Sequence, residues 1–175
     1  VRDSSLSACC QAVLAAETGH LRLAYAYLGE AALMDLDDLE HNTRDGLHIA
    51  SLAGTWIALV AGFGGLRRYL DEDGSTGRLA FTPRLPEALS RLAFTVLVRG
   101  RRLKVEIGRS RARYQLVEGE PLDVLHNGEL MTLTTGEPVD RPMPPAPALP
   151  EPQQPPSRRP VGLPVGEEDR AERLD

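Results

Sequence analysis

Leu92-Ala93-Phe94-Thr95-Val96-Leu97-Val98-Arg99-Gly100-Arg101-Arg102-Leu103-Lys104-Val105-Glu106-Ile107 is the stretch where this chain changes architecture. Leu92, Phe94, Val96 and Val98 alternate with Ala93, Thr95, Leu97 and Arg99; beyond Gly100 the alternation resumes, with Leu103, Val105 and Ile107 flanking Lys104 and Glu106. A period of two sends successive side chains to opposite faces of an extended strand, so the stretch predicts a hairpin turning at Arg99-Gly100-Arg101. Further strands are predicted at Tyr114 and Leu116, and at the pairs Val124-Leu125 and Leu130-Met131 on either side of Asn127-Gly128, a dipeptide suited to a two-residue turn. Upstream, Leu79-Ala80-Phe81 runs into the turn-rich Thr82-Pro83-Arg84-Leu85-Pro86. Residues 73–135 are therefore expected to form a small antiparallel β-sandwich domain.

Ahead of that domain the period is helical. Leu6, Cys10, Val13 and Leu14 recur at helical spacing between Ser4 and Glu17, and Gly19 supplies a stop. A second helix is predicted from His20 to Met34, its Leu21, Tyr25, Leu28 and Ala32 joined by Leu23, Ala24, Tyr27 and Ala31 on a second face. A third, capped by Asp45, is apolar all round, holds Trp56 as a core residue and stops at Gly62-Phe63-Gly64-Gly65. Short connections make such helices antiparallel neighbours, and an all-round apolar helix belongs inside something larger. The fold class read from these patterns is α+β.

Past residue 135 the chain lacks the means to build a core: 11 of the 14 prolines lie between Pro138 and Pro164, and Glu167 to Asp175 is mostly charged. Residues 136–175 are expected to be a disordered Pro-rich and charged tail. A net charge of -5 gives no support to a nucleic-acid role, and 5% aromatic content argues against a base-stacking platform. Cys9 and Cys10 are adjacent within a helical pattern, which disfavours a disulfide and suits a reducing cytoplasm. The longest apolar run, Ile49 to Phe63, is broken by Ser51, Gly54, Thr55 and Gly62, so no membrane span is expected.

Two places carry chemistry. Arg2-Asp3-Ser4-Ser5-Leu6-Ser7 sets a cation, a capping carboxylate and hydroxyls at a helix start, the ingredients of a phosphate site, with Arg2, Ser4 and Ser5 as anion-binding candidates. The plainer reading is a helix cap beside a surface arginine. Asp45, Gly46 and His48 are candidates for lining a pocket; alternatively Asp45 caps the third helix, Gly46 permits close backbone approach and His48 is a core histidine bonded to a neighbour. Asp35, Asp37, Asp38, Glu40 and His41 lack the alternating ligands and turn glycine of a calcium loop, so they are read as a solvated loop face and no metal site is expected. Arg99, Arg101, Arg102, Lys104, Arg109, Arg111 and Arg113 are read as the solvent face and protected edge of a sheet.

Three segments together resemble glycoside hydrolase family 65, the maltose, trehalose and kojibiose phosphorylases and related hydrolases. They are Arg2-Asp3-Ser4-Ser5-Leu6-Ser7 opening a helix; Asn42-Thr43-Arg44-Asp45-Gly46-Leu47-His48-Ile49-Ala50-Ser51 followed by Ala53-Gly54-Thr55-Trp56; and Gly62-Phe63-Gly64-Gly65 leading into Leu79-Ala80-Phe81-Thr82-Pro83-Arg84-Leu85-Pro86. Their order and spacing cover Val1 to Ile107, and three unrelated motifs in register are specific where one would not be.

The resemblance implies that residues 1–72 are the last helices of an (α/α)6 catalytic barrel, that 73–135 are the family's C-terminal domain, and that the chain is a fragment. It implies cleavage of an α-glucosidic disaccharide with inversion, by phosphate or by water, with a general-acid glutamate on an earlier part of the barrel. No catalytic residue is then assigned here, and the chain alone is expected to be inactive. Arg2 stands where phosphorylases of the family usually carry the histidine of a His-x-Ser segment, which replaces a switchable base by a permanent forked cation. No cofactor is implied beyond inorganic phosphate as co-substrate; the partners implied are the disaccharide, with no nucleic acid and no membrane, and a homodimer of the full-length enzyme stays open. The competing reading is a truncated, non-catalytic helical and β module that binds a partner through its exposed barrel faces.

Overall fold

The computed structural model describes residues 4–70, 77–147, 149–155 and 159–161. They fall into two compact units, one holding the chain up to Gly62 together with the residues from Pro147 onward, the other Phe63–Ala146. The predicted boundary at residues 72 and 73 lies in the segment 71–76, outside the described residues.

In the helical unit α1 spans Ser7–Glu17, α2 Leu21–Leu33 and α3 Ile49–Ile57, with a short 3-10 turn at Thr43–Asp45. α1 ends as its sequence suggests: Gly19 adopts φ +89°, its N–H donates to the Ala16 carbonyl at 3.1 Å, and the His20 N–H donates to the Ala15 carbonyl at 2.9 Å. That double bond from a left-handed glycine satisfies carbonyls the helix end would otherwise leave bare. The packed faces are built from small residues, Ala8, Ala12, Ala15 and Ala16 on α1 and Ala24 and Ala31 on α2, which lets backbones approach closely. The same closeness holds at α3, where a Cβ on Gly54 would lie 2.7 Å from the Cβ of Cys9. The Ser51 hydroxyl donates to the Ala31 carbonyl at 3.1 Å, tying α3 to α2. α3 then widens into a π-helical turn over Ala58–Phe63.

Two expectations for α3 are corrected. Its N-cap position is His48, with no side-chain cap bond, so Asp45 does not cap it. The 3-10 turn at Thr43–Asp45 followed by Gly46 at φ +141° breaks the helical path before α3 begins. Trp56 is 53% exposed rather than core, on an open face shared with Ile49, Leu52 and Ile57.

The second unit is a sandwich of two four-stranded sheets. Sheet A runs in the order β1 (Arg67–Leu70), β2 (Gly77–Phe81), β6 (Leu122–His126), β7 (Glu129–Leu133); sheet B runs β3 (Arg91–Val98), β4 (Arg101–Gly108), β5 (Arg111–Glu118), β8 (Val139–Pro142). Both predicted hairpins close on two-residue turns, Arg99-Gly100 at φ +49° and +75° and Asn127-Gly128 at +49° and +86°, the positive pair that matches strand twist. Among the described strand pairs all are antiparallel except β2 with β6, which run parallel. Leu103, Val105, Ile107, Tyr114 and Leu116 of sheet B and Phe81, Val124 and Leu133 of sheet A have essentially no exposure. Phe81 and Tyr114 pack ring to ring across the sheets at 5.2 Å.

A polar link crosses the same core. The Tyr114 hydroxyl lies 2.7 Å from Nδ1 of His126, and Nε2 of the same ring lies 2.9 Å from the Asn127 amide nitrogen and 3.1 Å from the Pro142 carbonyl. Burial pushes the His126 imidazolium down below its ordinary range and the Tyr114 phenol up.

The expectation of a structureless chain from residue 136 is corrected as well. Val139–Pro142 pairs with Arg111–Tyr114 as β8, where Arg113 places Nε and Nη2 2.7 and 2.9 Å from the two carboxylate oxygens of Asp140. Proline at the edge-strand terminus costs no ladder donor, so its presence there is no obstacle. Further on, the chain returns to the helical unit: Arg22 pairs with Glu151 at 2.9 Å, and the Val161 N–H donates to the buried Glu30 carboxylate at 2.7 Å. Among the described residues no helix is long and apolar enough to cross a membrane.

Candidate functional site

Arg2 and Asp3 lie outside the described residues. Ser4 and Ser5 precede α1 instead of forming its first turn: the Ser4 carbonyl accepts the Ser7 N–H at 2.9 Å and its hydroxyl accepts the Leu6 N–H at 3.3 Å. Leu6 occupies the cap position, so the helix opens without a side-chain cap. Ser4 is exposed and Ser5 half-buried, and both stand just before the first residue of α1.

The second candidate group forms around the end of α2 and the start of α3. Asp35 follows Met34 at the C-terminus of α2, and its carboxylate grips His48 at two points. Oδ1 lies 2.6 Å from Nδ1 of the imidazole, and Oδ2 accepts the His48 backbone N–H at 2.8 Å. The hydrogen bond from the His48 ring is the largest cause holding the Asp35 carboxyl below its usual range, so the oxygen facing Nδ1 is ionised and can only accept. Nδ1 must therefore carry the proton. Nε2 is left as the nitrogen that can meet a ligand, as an acceptor when the ring is neutral and a donor when it is charged. Asp35 is 9% and His48 19% exposed at the side chain, a pair largely sheltered from water.

Asp38 steadies the same loop. Its carboxylate accepts the Thr43 N–H at 3.0 Å, and that bond draws its pKa below the ordinary value. Asp45 is exposed and meets Arg44 only at 3.9 Å between two exposed side chains. Gly46 at φ +141° serves the turn by conformation alone, because a Cβ there would meet nothing within 4 Å. Among the described residues no hydrogen bond or ion pair joins Ser4 or Ser5 to Asp45, Gly46 or His48. The reading of the acidic run as a solvated face is thus wrong at Asp35, the residue of the group that sequence reasoning missed. Its signal was weak: one carboxylate of an acidic run, 13 positions before the histidine it holds, with an irregular loop between.

Comparison with known proteins reaches both parts of the chain. The model of the glycosyl hydrolase family 65 central catalytic domain matches residues 1–57, and that of the family's C-terminal domain matches residues 73–133. An uncharacterized glycosyl hydrolase of Mycobacterium leprae is 52% identical over 168 residues, covering 92% of this chain and 20% of its own length. The α,α-trehalose phosphorylase of Thermoanaerobacter brockii is 42% identical over 135 residues, covering 77% of this chain and 17% of its own. Among solved structures, a human-microbiome protein assigned as a kojibiose phosphorylase superposes with a TM-score of 0.68 at 26% identity, over 81% of this chain and 20% of that one. The chain spans about a fifth of the length of the relatives it matches.

Proposed function

The chain belongs to glycoside hydrolase family 65, and from that premise we propose that it supplies one side of the pocket of an enzyme cleaving an α-glucosidic disaccharide of the trehalose, maltose or kojibiose type. The observation that carries the reading is the agreement of both family domains, in order, with relatives named as phosphorylases of those sugars. The helical unit is then the closing part of an (α/α)6 barrel. Its open face of Ile49, Leu52, Trp56 and Ile57 is the surface that preceding helices would cover.

Within that pocket Arg2, Ser4 and Ser5 form the anion side, and His48 offers Nε2 to phosphate or to a sugar hydroxyl, with Asp45 and Gly46 shaping the turn before it. In the reaction an acid elsewhere in the enzyme protonates the glycosidic oxygen while phosphate, or water, adds to the anomeric carbon from the opposite face. The bond to the leaving sugar breaks as the new bond to oxygen forms, so an α-linked substrate yields a β-configured product. Because the acid is not assigned to this chain, the 175-residue chain is proposed to be inactive alone.

The test is product analysis of the full-length protein on trehalose, maltose and kojibiose, with and without phosphate, following anomeric proton signals. Phosphate-dependent release of β-glucose 1-phosphate establishes phosphorolysis, and phosphate-independent release of β-glucose establishes hydrolysis. Retained α configuration, or no cleavage of any of the three sugars, overturns the reading.

A further inference from the structure

The outward face of sheet B carries a concavity that the proposed reaction does not use. It measures about 200 Å³, and Ser90, Arg91, Glu106, Gly108, Ser110, Arg111 and Arg113 line it. This is below the range of about 300 to 1,000 Å³ for pockets holding drug-sized ligands, so the space suits a small head group.

Its charges do not cancel. The Arg91 Nη2 is taken by Glu106 at 2.9 Å. Arg113 takes both oxygens of Asp140, at 2.7 and 2.9 Å. Arg111 is left a 3.5 Å approach to an Asp140 oxygen that Arg113 already holds. Three guanidinium groups thus share two carboxylates, and Arg111 carries the surplus. Beside it the hydroxyls of Ser90 and Ser110 make no hydrogen bond to any described residue. Gly108 contributes no side chain to the floor, and a Cβ there would meet only the Arg111 carbonyl, at 3.6 Å.

We infer that this concavity on sheet B binds a phosphate-type oxyanion, with Arg111 as its principal cation and the Ser90 and Ser110 hydroxyls as donors. A carboxylate offers two oxygens in one plane; a tetrahedral oxyanion offers three or more in divergent directions, which matches a forked guanidinium flanked by two hydroxyls. The local positive charge stands out in a chain whose net charge is -5. The oxyanion is either free phosphate or the phosphate end of a monosaccharide ester.

The experiment titrates the 175-residue chain with inorganic phosphate and, separately, with glucose 1-phosphate, against sodium chloride at matched ionic strength, reading backbone amide shifts. Saturable shifts are expected at Ser90, Arg91, Gly108, Ser110 and Arg111 with phosphate and not with chloride; tighter saturation by the ester identifies the ester as the ligand. Arg111→Ala is expected to weaken binding by at least about tenfold, the loss of one charge-assisted hydrogen-bonding partner. Arg102→Ala, on the same sheet face but outside the concavity, leaves binding unchanged. Gly108→Ala folds normally yet places a methyl in the space and also weakens binding. Absence of saturation, equal shifts with chloride, or equal weakening by Arg111→Ala and Arg102→Ala overturns the site, the last by showing only a diffuse ionic attraction.

Discussion

A carboxylate can only accept hydrogen bonds, so Asp35, 2.6 Å from Nδ1 of His48 and 2.8 Å from its backbone nitrogen, dictates where the histidine proton sits. Nitrogen NMR of the imidazole is expected to show a protonated Nδ1 at every pH where Asp35 is ionised. Asp35→Ala should abolish that preference and speed amide exchange in the first turn of α3 while leaving α1 unchanged; an unaltered tautomer would show that the carboxylate does not set it. Because the folded pKa of Asp35 is lowered, its contribution to stability is present above the ordinary carboxylate value of about 4 and is lost as pH falls below it. His126 predicts a different window. Burial lowers its folded pKa, so on acidification the unfolded chain takes up the proton first, from about pH 6.5 downward. The β unit should therefore lose stability between neutral and mildly acid pH, and His126→Asn should remove that slope from its urea midpoint even if the variant is less stable throughout. A slope that survives the substitution would assign it to another group.

Among the elements, the entry into the sandwich depends on Gly65. It holds φ +62°, its carbonyl accepts the Thr82 N–H at 3.2 Å, and a Cβ there would sit 2.4 Å from the Thr82 carbonyl carbon. Gly128, at φ +86°, has open space instead. Gly128→Ala is thus expected to cost only the left-handed penalty of about 1 kcal/mol, and Gly65→Ala clearly more, measured by urea unfolding. Equal costs would mean that the loop yields around a methyl. The glycine stops and both hairpin turns were legible in the sequence, because Gly19, Arg99-Gly100 and Asn127-Gly128 act through local backbone conformation. β8 was not, since one short strand inside a proline-rich run pairs with β5 through contacts between distant positions. The site was legible to the same extent: His48 stood out as a residue, but its partner Asp35 is brought to it only by the packing of α2 against α3. The start of α3 was misread for a related reason, because a capping-type residue at Asp45 is no guide once Gly46 turns the chain away.

For the chain as a whole, the proline-rich segment is the element whose role changes most. Proline limits the unfolded chain's freedom, so laying such a segment along a helix costs less ordering entropy than laying a flexible one. The contacts match that economy: Pro147 and Leu149 lie so close to α1's terminal Gly19 that a Cβ there would fall 2.8 and 2.9 Å from them. Glu151 reaches Arg22, and the Val161 N–H satisfies one oxygen of the buried Glu30. Deleting everything after Ala146 is therefore expected to loosen the helical unit selectively. Amide exchange should accelerate across α2, where Glu30 loses a hydrogen-bond donor and regains the cost of a buried, under-satisfied carboxylate, while the β5 and β4 amides keep their protection. Glu30→Gln keeps the shape and an acceptor oxygen, so it should reproduce only part of the effect. Unchanged exchange in α2 after the deletion would show that the segment rests on the helices without holding them.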